Sequence, residues 1–191
     1  MRVVVLDDHP PGTAGPVEQG GAALREIQQT IQAGRKRDNV HFSIRAAVRP
    51  ADIGQALLDT EPRIVHFAGH GGGADGSFAA ENDYGNAQII PVDGLVRLFQ
   101  AVGRSVECVI VNACSTELLA RAMSAQLPYV IGMRQPMGDR SAIRFSIGFY
   151  QALAAGRPIE DAFDLGVAQL MMVPAGTDQL APLLLRHGAE G

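Results

Sequence analysis

Short apolar runs alternate with helix-period segments along most of this chain, and that alternation limits its fold more than any other feature. "RVVVLD" at residues 2–7 is β-branched and is closed by Pro10, Pro11 and Gly12, so it reads as a buried strand. From residue 17 to 34, Leu24, Ile27 and Ile31 recur at spacings of three and four, which is one helical face. "NVHFSIRAAV" alternates Val40, Phe42 and Ile44 as a second strand, and Pro50 suits the first turn of a helix that stops before Pro62. "RIVHFAGHGGG" is a third strand running straight into glycines, "VECVIVNAC" a fourth and "PYVIGM" a fifth. Between the third and fourth lies an insertion of about thirty residues, rich in Gly, Asn and Asp around residues 78–86; "AQIIPVDGLVRLFQAV" then reads as a short strand, a turn at Pro91 and a helix with Asp93 near its start. "TELLARAMSAQ", "SAIRFSIGFYQALAAG" and "PIEDAFDLGVAQLMM" read as helices, and "APLLLRHG" as a last strand. Strands alternating with helices imply right-handed crossovers and an α/β domain whose mostly parallel sheet is covered on both faces. Neither repeat nor linker interrupts the pattern, so residues 1–191 are expected to form one domain.

Charge and composition narrow the function. The formal net charge is -4 and the pI near 5.7, which speaks against nucleic acid as a partner, because phosphate binding needs clustered cations. The one basic cluster, Arg35, Lys36 and Arg37, reads as a solvated turn. No run of about 18 apolar residues is present, and "MRVVVLDDHPPG" is broken by Asp7 and Asp8 too early for a secretory signal, so a cytoplasmic protein without membrane contact is expected. Cys108 and Cys114 on one strand would lie roughly 20 Å apart, far beyond disulfide reach, so both are expected as free thiols in a reducing compartment. One lysine among many arginines and alanines points to a high-GC bacterial source.

Ligands of such sheets bind beyond the carboxyl ends of the strands, where "HFAGHG" and "VNACST" both stop. Cys114 stands between a buried strand and a helix beginning near Ser115 or Thr116, and the amide dipoles of that helix favour a negative sulfur. His70 holds the matching place on another strand. If the two strands are neighbours, His70 can serve Cys114 as base and then as acid for a leaving amine. Gly71, Gly72 and Gly73 allow close backbone approach, and the amides of Gly71 and Cys114 could form an oxyanion hole. Other chemistries stay open here. "GHGGGADG" departs from the GxGxxG phosphate pattern, and His66, His70, Cys108 and Cys114 are all metal-ligand types, although His66 and Cys108 fall mid-strand and read better as core.

"IVHFAGHG", "VIVNACST", "YVIGM" and "AIRFSIGFYQALAAGRPIEDAF", in that order, resemble the CHAT family of caspase-like cysteine peptidases over residues 63–170. The resemblance implies a three-layer α/β/α caspase-like sandwich, a catalytic dyad of His70 and Cys114, hydrolysis of peptide bonds in a protein substrate, and no metal or organic cofactor. Legumain-like and metacaspase-like relatives carry an acidic residue two positions before the cysteine. Here Asn112 stands there, offering hydrogen bonds to substrate but no charge for a basic side chain. Met133, Arg134 and Gln135 are expected to line the cleft by position, with Arg134 suited to an acidic P1 residue. Only Leu127 and Pro128 separate the helix after Cys114 from the next strand, which leaves no exposed processing loop. Activation is therefore expected from a partner, or from ordering of residues 78–86 and 134–140. Many members carry fused sensor or repeat domains. By resemblance, then, this chain is expected to work with a separately encoded sensor or activator in bacterial defence or cell death. The competing expectation is a catalytically silent binding or scaffold module.

Overall fold

The computed structural model describes residues 1–7, 18–33, 38, 40–46, 48–69, 77–82, 84, 86–113, 115–172 and 178–188. Its elements follow the order read from the sequence: β1 (Arg2–Asp7), α1 (Glu18–Ala33), β2 (His41–Arg45), α2 (Pro50–Thr60), β3 (Ile64–Ala68), β4 (Phe78–Glu81) and β5 (Ala87–Ile90). Then come α3 (Val92–Val102), β6 (Cys108–Asn112), α4 (Glu117–Ser124), β7 (Tyr129–Met133), α5 (Asp139–Ala154), α6 (Ile159–Met171), a 3-10 turn at Asp178–Leu180 and β8 (Pro182–Arg186). The basic cluster Arg35, Lys36 and Arg37 lies outside the described residues.

Six strands form one sheet in the order β2-β1-β3-β6-β7-β8, parallel throughout except for the antiparallel last strand. The unbroken apolar runs now have a cause. Along β1, Val3 and Val5 face one helical layer while Val4 and Leu6 face the other, so all four of these residues are buried and none of them needs to be polar. Ile53 and Leu57 of α2, Leu95 and Phe99 of α3, and Leu119 and Met123 of α4 cover the face of Val4, Val65 and Val109. Ile27 and Ile31 of α1 cover the opposite face, with Phe145, Phe149 and Tyr150 of α5 and Ile159 and Leu170 of α6. The result is the expected three-layer α/β/α sandwich.

Residues 78–81, read as insertion, are instead strand β4. Phe78 pairs opposite Ile90 and Glu81 opposite Ala87 in a two-stranded hairpin. "FAAE" carries no β-branched residue, so intrinsic preference could not reveal it. What holds it is the turn and the core. The Asn82 side-chain oxygen accepts from the Tyr84 and Asn86 amides at 2.9 and 3.0 Å, while the Phe78 ring packs on Phe67 with centroids 5.2 Å apart.

α5 and α6 meet at two glycines. A Cβ at Gly148 would stand 2.7 Å from the Leu165 carbonyl oxygen and 2.9 Å from the Gly166 Cα, and one at Gly166 would meet the Phe145 ring at 2.8 Å. Backbone cannot retreat cheaply, so Gly148→Ala is expected to cost about 1–3 kcal/mol and lower the melting temperature by several degrees. Gly94, at an exposed position of α3 with nothing within 4 Å of a new Cβ, is the control, and Gly94→Ala is expected to gain up to about 1 kcal/mol from helix propensity. Thermal melts of both variants check the contrast; an unperturbed Gly148→Ala would show that the helix contact is loose.

Candidate active site

The site is set by which strands are neighbours. β3 and β6 pair in parallel and in register, Ile64 opposite Cys108 through Ala68 opposite Asn112, at the centre of the sheet. Just past that last pair the Gly69 amide still reaches the Asn112 carbonyl at 3.5 Å. The condition placed on the two strands is therefore met: they leave the same sheet edge side by side. His70 follows Gly69 directly and Cys114 comes two residues after Asn112. His70, Gly71 and Cys114 themselves lie outside the described residues. Strand order changes direction one strand away, between β1 and β3, since β1 leads outward to β2 on one side and β3 leads to β6 on the other. The carboxyl ends of β3 and β6 thus border the crevice where open α/β sheets bind ligands. Asp7, buried at the end of β1, is the register partner of Ala68 at this edge.

The two residues between Cys114 and α4 have unusual placements. Ser115 adopts φ +56°, the left-handed region that costs a residue with a Cβ about 1 kcal/mol or more. Thr116, the N-cap of α4, makes no side-chain capping bond. Its hydroxyl, 0% exposed, donates instead toward the carbonyls of Val111 at 3.0 Å and Ala113 at 3.3 Å, and accepts from the Met133 amide at 3.0 Å. Sequence reasoning saw Thr116 only as the possible start of a helix. The extra signal available was a threonine at a strand-to-helix turn, a place where its hydroxyl can serve main-chain groups other than its own helix.

The remaining expected residues sit as follows. Asn112 is half-buried at the end of β6. Met133 ends β7 with its side chain in the core beside α5, so only its main chain meets the strand-end region. Arg134 is exposed, its amide donating to the Ala181 carbonyl at 2.8 Å, and Gln135 is half-buried. The stretch after them is tied to the 3-10 turn by Asp178, whose carboxylate accepts from the Ser141 hydroxyl at 2.7 Å and the Gly138 amide at 3.4 Å. Arg134, just past the end of β7, and Asn112, the last residue of β6, thus share the carboxyl edge.

His66, in the middle of β3, and Cys108, which opens β6 rather than lying mid-strand, are both fully buried core residues. Burial pushes the Cys108 thiol far up, which makes it inert, and pushes the Tyr150 hydroxyl up as well. His66 stacks with Tyr150 and its Nδ1 is hydrogen-bonded to the Tyr150 hydroxyl at 3.1 Å, while Nε2 has no partner among the described residues. Desolvation holds the imidazole down at about 4, so it is neutral at pH 7. Among the described residues no group of His, Cys, Asp and Glu could hold a metal ion, and no helix is long and apolar enough to cross a membrane.

The family model for the CHAT domain matches residues 13–184. The chain belongs to the CHAT domain family. Among solved structures, the Drosophila initiator caspase Dronc is similar to this CHAT domain with a TM-score of 0.54 and 12% sequence identity, over 98% of this chain and 79% of that one. At that identity the likeness speaks for the fold, which is caspase-like. Comparison with curated proteins yields no match.

The neutral His66 gives this CHAT domain a measurable acid limb. Its folded value near 4 lies below the ordinary 6.5 of an unfolded chain. Between those values the unfolded state binds the extra proton, so stability present above pH 6.5 is lost as pH falls toward 4. Urea unfolding is expected to show about 2–3 kcal/mol more loss between pH 7 and pH 4.5 in wild type than in His66→Gln. Equal losses in the two proteins would assign the acid limb to other groups.

Proposed function

We propose that this CHAT domain is a cysteine endopeptidase in which Cys114 is the nucleophile and His70 the acid and base. The observation that carries the reading is the register of β3 with β6, which sends the segments bearing His70 and Cys114 out of adjacent strands at one edge. In the proposed reaction the Cys114 thiolate forms a bond to the scissile carbonyl carbon, and the amides of Gly71 and Cys114 hold the oxyanion. His70 has taken the thiol proton and gives it to the leaving amine as the C–N bond breaks. Water then attacks the thioester, with His70 as base, and releases the acid and the free thiol. The chemistry calls for no metal or organic cofactor. Asn112 and Arg134 line the cleft with Gln135 and the main chain of Met133.

Two features of the described residues support an enzyme active as an intact chain. α4 ends at Ser124 and β7 begins at Tyr129, and within that connection Leu127 is 4% exposed, with the Gln126 and Leu127 amides both donating to the Met123 carbonyl. A segment so short and so bonded is a poor protease substrate. The substrate is a protein, and the setting we infer is bacterial defence or cell death, with a separately encoded sensor as activator.

Peptide-library cleavage by wild type, Cys114→Ala and His70→Ala, with cell lysate added as a source of activator, tests the reading. Cleavage lost by at least about a hundredfold in both variants is expected, from a chain that mass spectrometry finds uncut between Ala125 and Tyr129. Folded wild type that stays silent even with lysate would make this a binding module. Activity found only after a cut in that segment would overturn the intact-chain part. If Arg134 meets an acidic P1 side chain, Arg134→Ala is expected to lower kcat/KM for acidic-P1 peptides about tenfold while sparing neutral ones; an unchanged preference removes Arg134 from the cleft.

A further inference from the structure

The ladder between β6 and β7 stops before the strands do. The Tyr129 amide donates to the Glu107 carbonyl at 3.0 Å, and the register runs from Cys108 opposite Tyr129 to Ile110 opposite Ile131. In a parallel pair the rungs recur every second residue, so the next one on this side of β7 would join the Met133 amide to the Val111 carbonyl. The Thr116 hydroxyl occupies that place. It accepts from the Met133 amide and donates toward Val111, with the Ala113 carbonyl sharing the donor. The strands are parted at their carboxyl ends, yet no main-chain group of the broken rung is left without a partner. Gly132 permits the insertion: a Cβ there would stand 2.6 Å from the Ala120 Cβ and 3.2 Å from the Thr116 carbonyl oxygen.

We propose that Thr116 is a positioning residue for Cys114: its hydroxyl replaces a β6–β7 rung and so locks the turn 113–116 to the end of β7. Ala113 and Thr116 bracket the cysteine, and the bond between them closes the turn. Through the Met133 amide the same hydroxyl fixes the strand end from which Arg134 departs. The role rests on the reading of Cys114 as nucleophile, but the lock is a property of the described residues and can be measured without any substrate.

The first measurement is hydrogen exchange in wild type, where the Met133 amide is expected to be protected at least about a hundredfold; exchange at an unprotected rate overturns the lock with no variant needed. Thr116→Val keeps the shape and removes the hydroxyl, whereas Thr116→Ser keeps it. With folding verified by circular dichroism, Thr116→Val is expected to speed Met133 exchange about tenfold or more and to slow alkylation of Cys114 by iodoacetamide at pH 7 about tenfold. The midpoint of its pH profile should move toward that of an ordinary thiol. Thr116→Ser is expected to recover most of both. In peptide cleavage Thr116→Val should lower kcat with KM within about threefold, since Thr116 meets no substrate. Folded Thr116→Val with wild-type alkylation and pH profile overturns the positioning role. Loss of Cys114 reactivity in Thr116→Val beside a wild type that cleaves nothing keeps the positioning role and sinks the peptidase reading instead.

Discussion

Parallel pairing of β3 with β6, with Ala68 opposite Asn112, brings two chain segments out of the middle of the sheet about 4.8 Å apart. Parallel neighbours cannot be joined by a tight turn, so the chain between them has to cross from one end of the sheet to the other. Here the crossover is the hairpin β4–β5 followed by α3, both packed on the same helical layer through Phe78, Ile90, Leu95 and Phe99. The hairpin therefore has a structural task beside any part it takes in substrate binding. It brings the chain from the edge beyond β3 onto α3, and its Phe78 ring rests on Phe67 of β3 itself.

Two buried polar residues, Thr116 and His66, are accommodated in different ways. Thr116 at the carboxyl edge has its donor and its acceptor in use, so its burial adds rigidity without leaving a desolvated group. His66, in the middle of β3, has one nitrogen bonded and one without a partner among the described residues, and it remains inside only as the neutral ring. Those differences fit the two roles. A neutral imidazole under α5 can pack like an aromatic residue, stacking with Tyr150, and it is too far down the strand to meet anything that binds beyond Ala68.

The sheet and its layers were legible because burial on both faces leaves a long apolar run, and helices on both faces leave their own period. Every strand of the main sheet and every helix was visible in that way. β4 was not, because "FAAE" is held by a turn and by the Phe78 contact with Phe67, both of which depend on residues distant in the sequence or on side-chain geometry. The adjacency of the strands ending at Ala68 and Asn112 was a condition in the sequence and became a fact only with the sheet order. Thr116 illustrates the remaining gap. Spacing reads a threonine before "ELLARAM" as a helix cap, whereas the hydroxyl goes to a strand rung that exists only once β6 and β7 are paired. The burial of the Met133 side chain was likewise hidden, since the parity of its position on β7 matters only after the face toward α5 is known.

α4 is held at both ends by contacts that leave it little freedom. At its start Thr116 is bonded to β6 and β7; along its length Ala120 lies against Gly132; and beyond its end the Gln126 and Leu127 amides fold back onto Met123 before β7 begins. Two small residues at the closest approach bring helix and strand nearer than larger side chains would allow, which is what puts the Thr116 hydroxyl within reach of the parted rung. A turn fixed from so many sides is suited to hold a nucleophile and poorly suited to be the moving part of a switch. The stretch after Met133 is bonded to the Ala181 carbonyl through the Arg134 amide and to the Asp178 carboxylate through the Gly138 amide, and its Met137 packs on the layer of α5, opposite to that of α4.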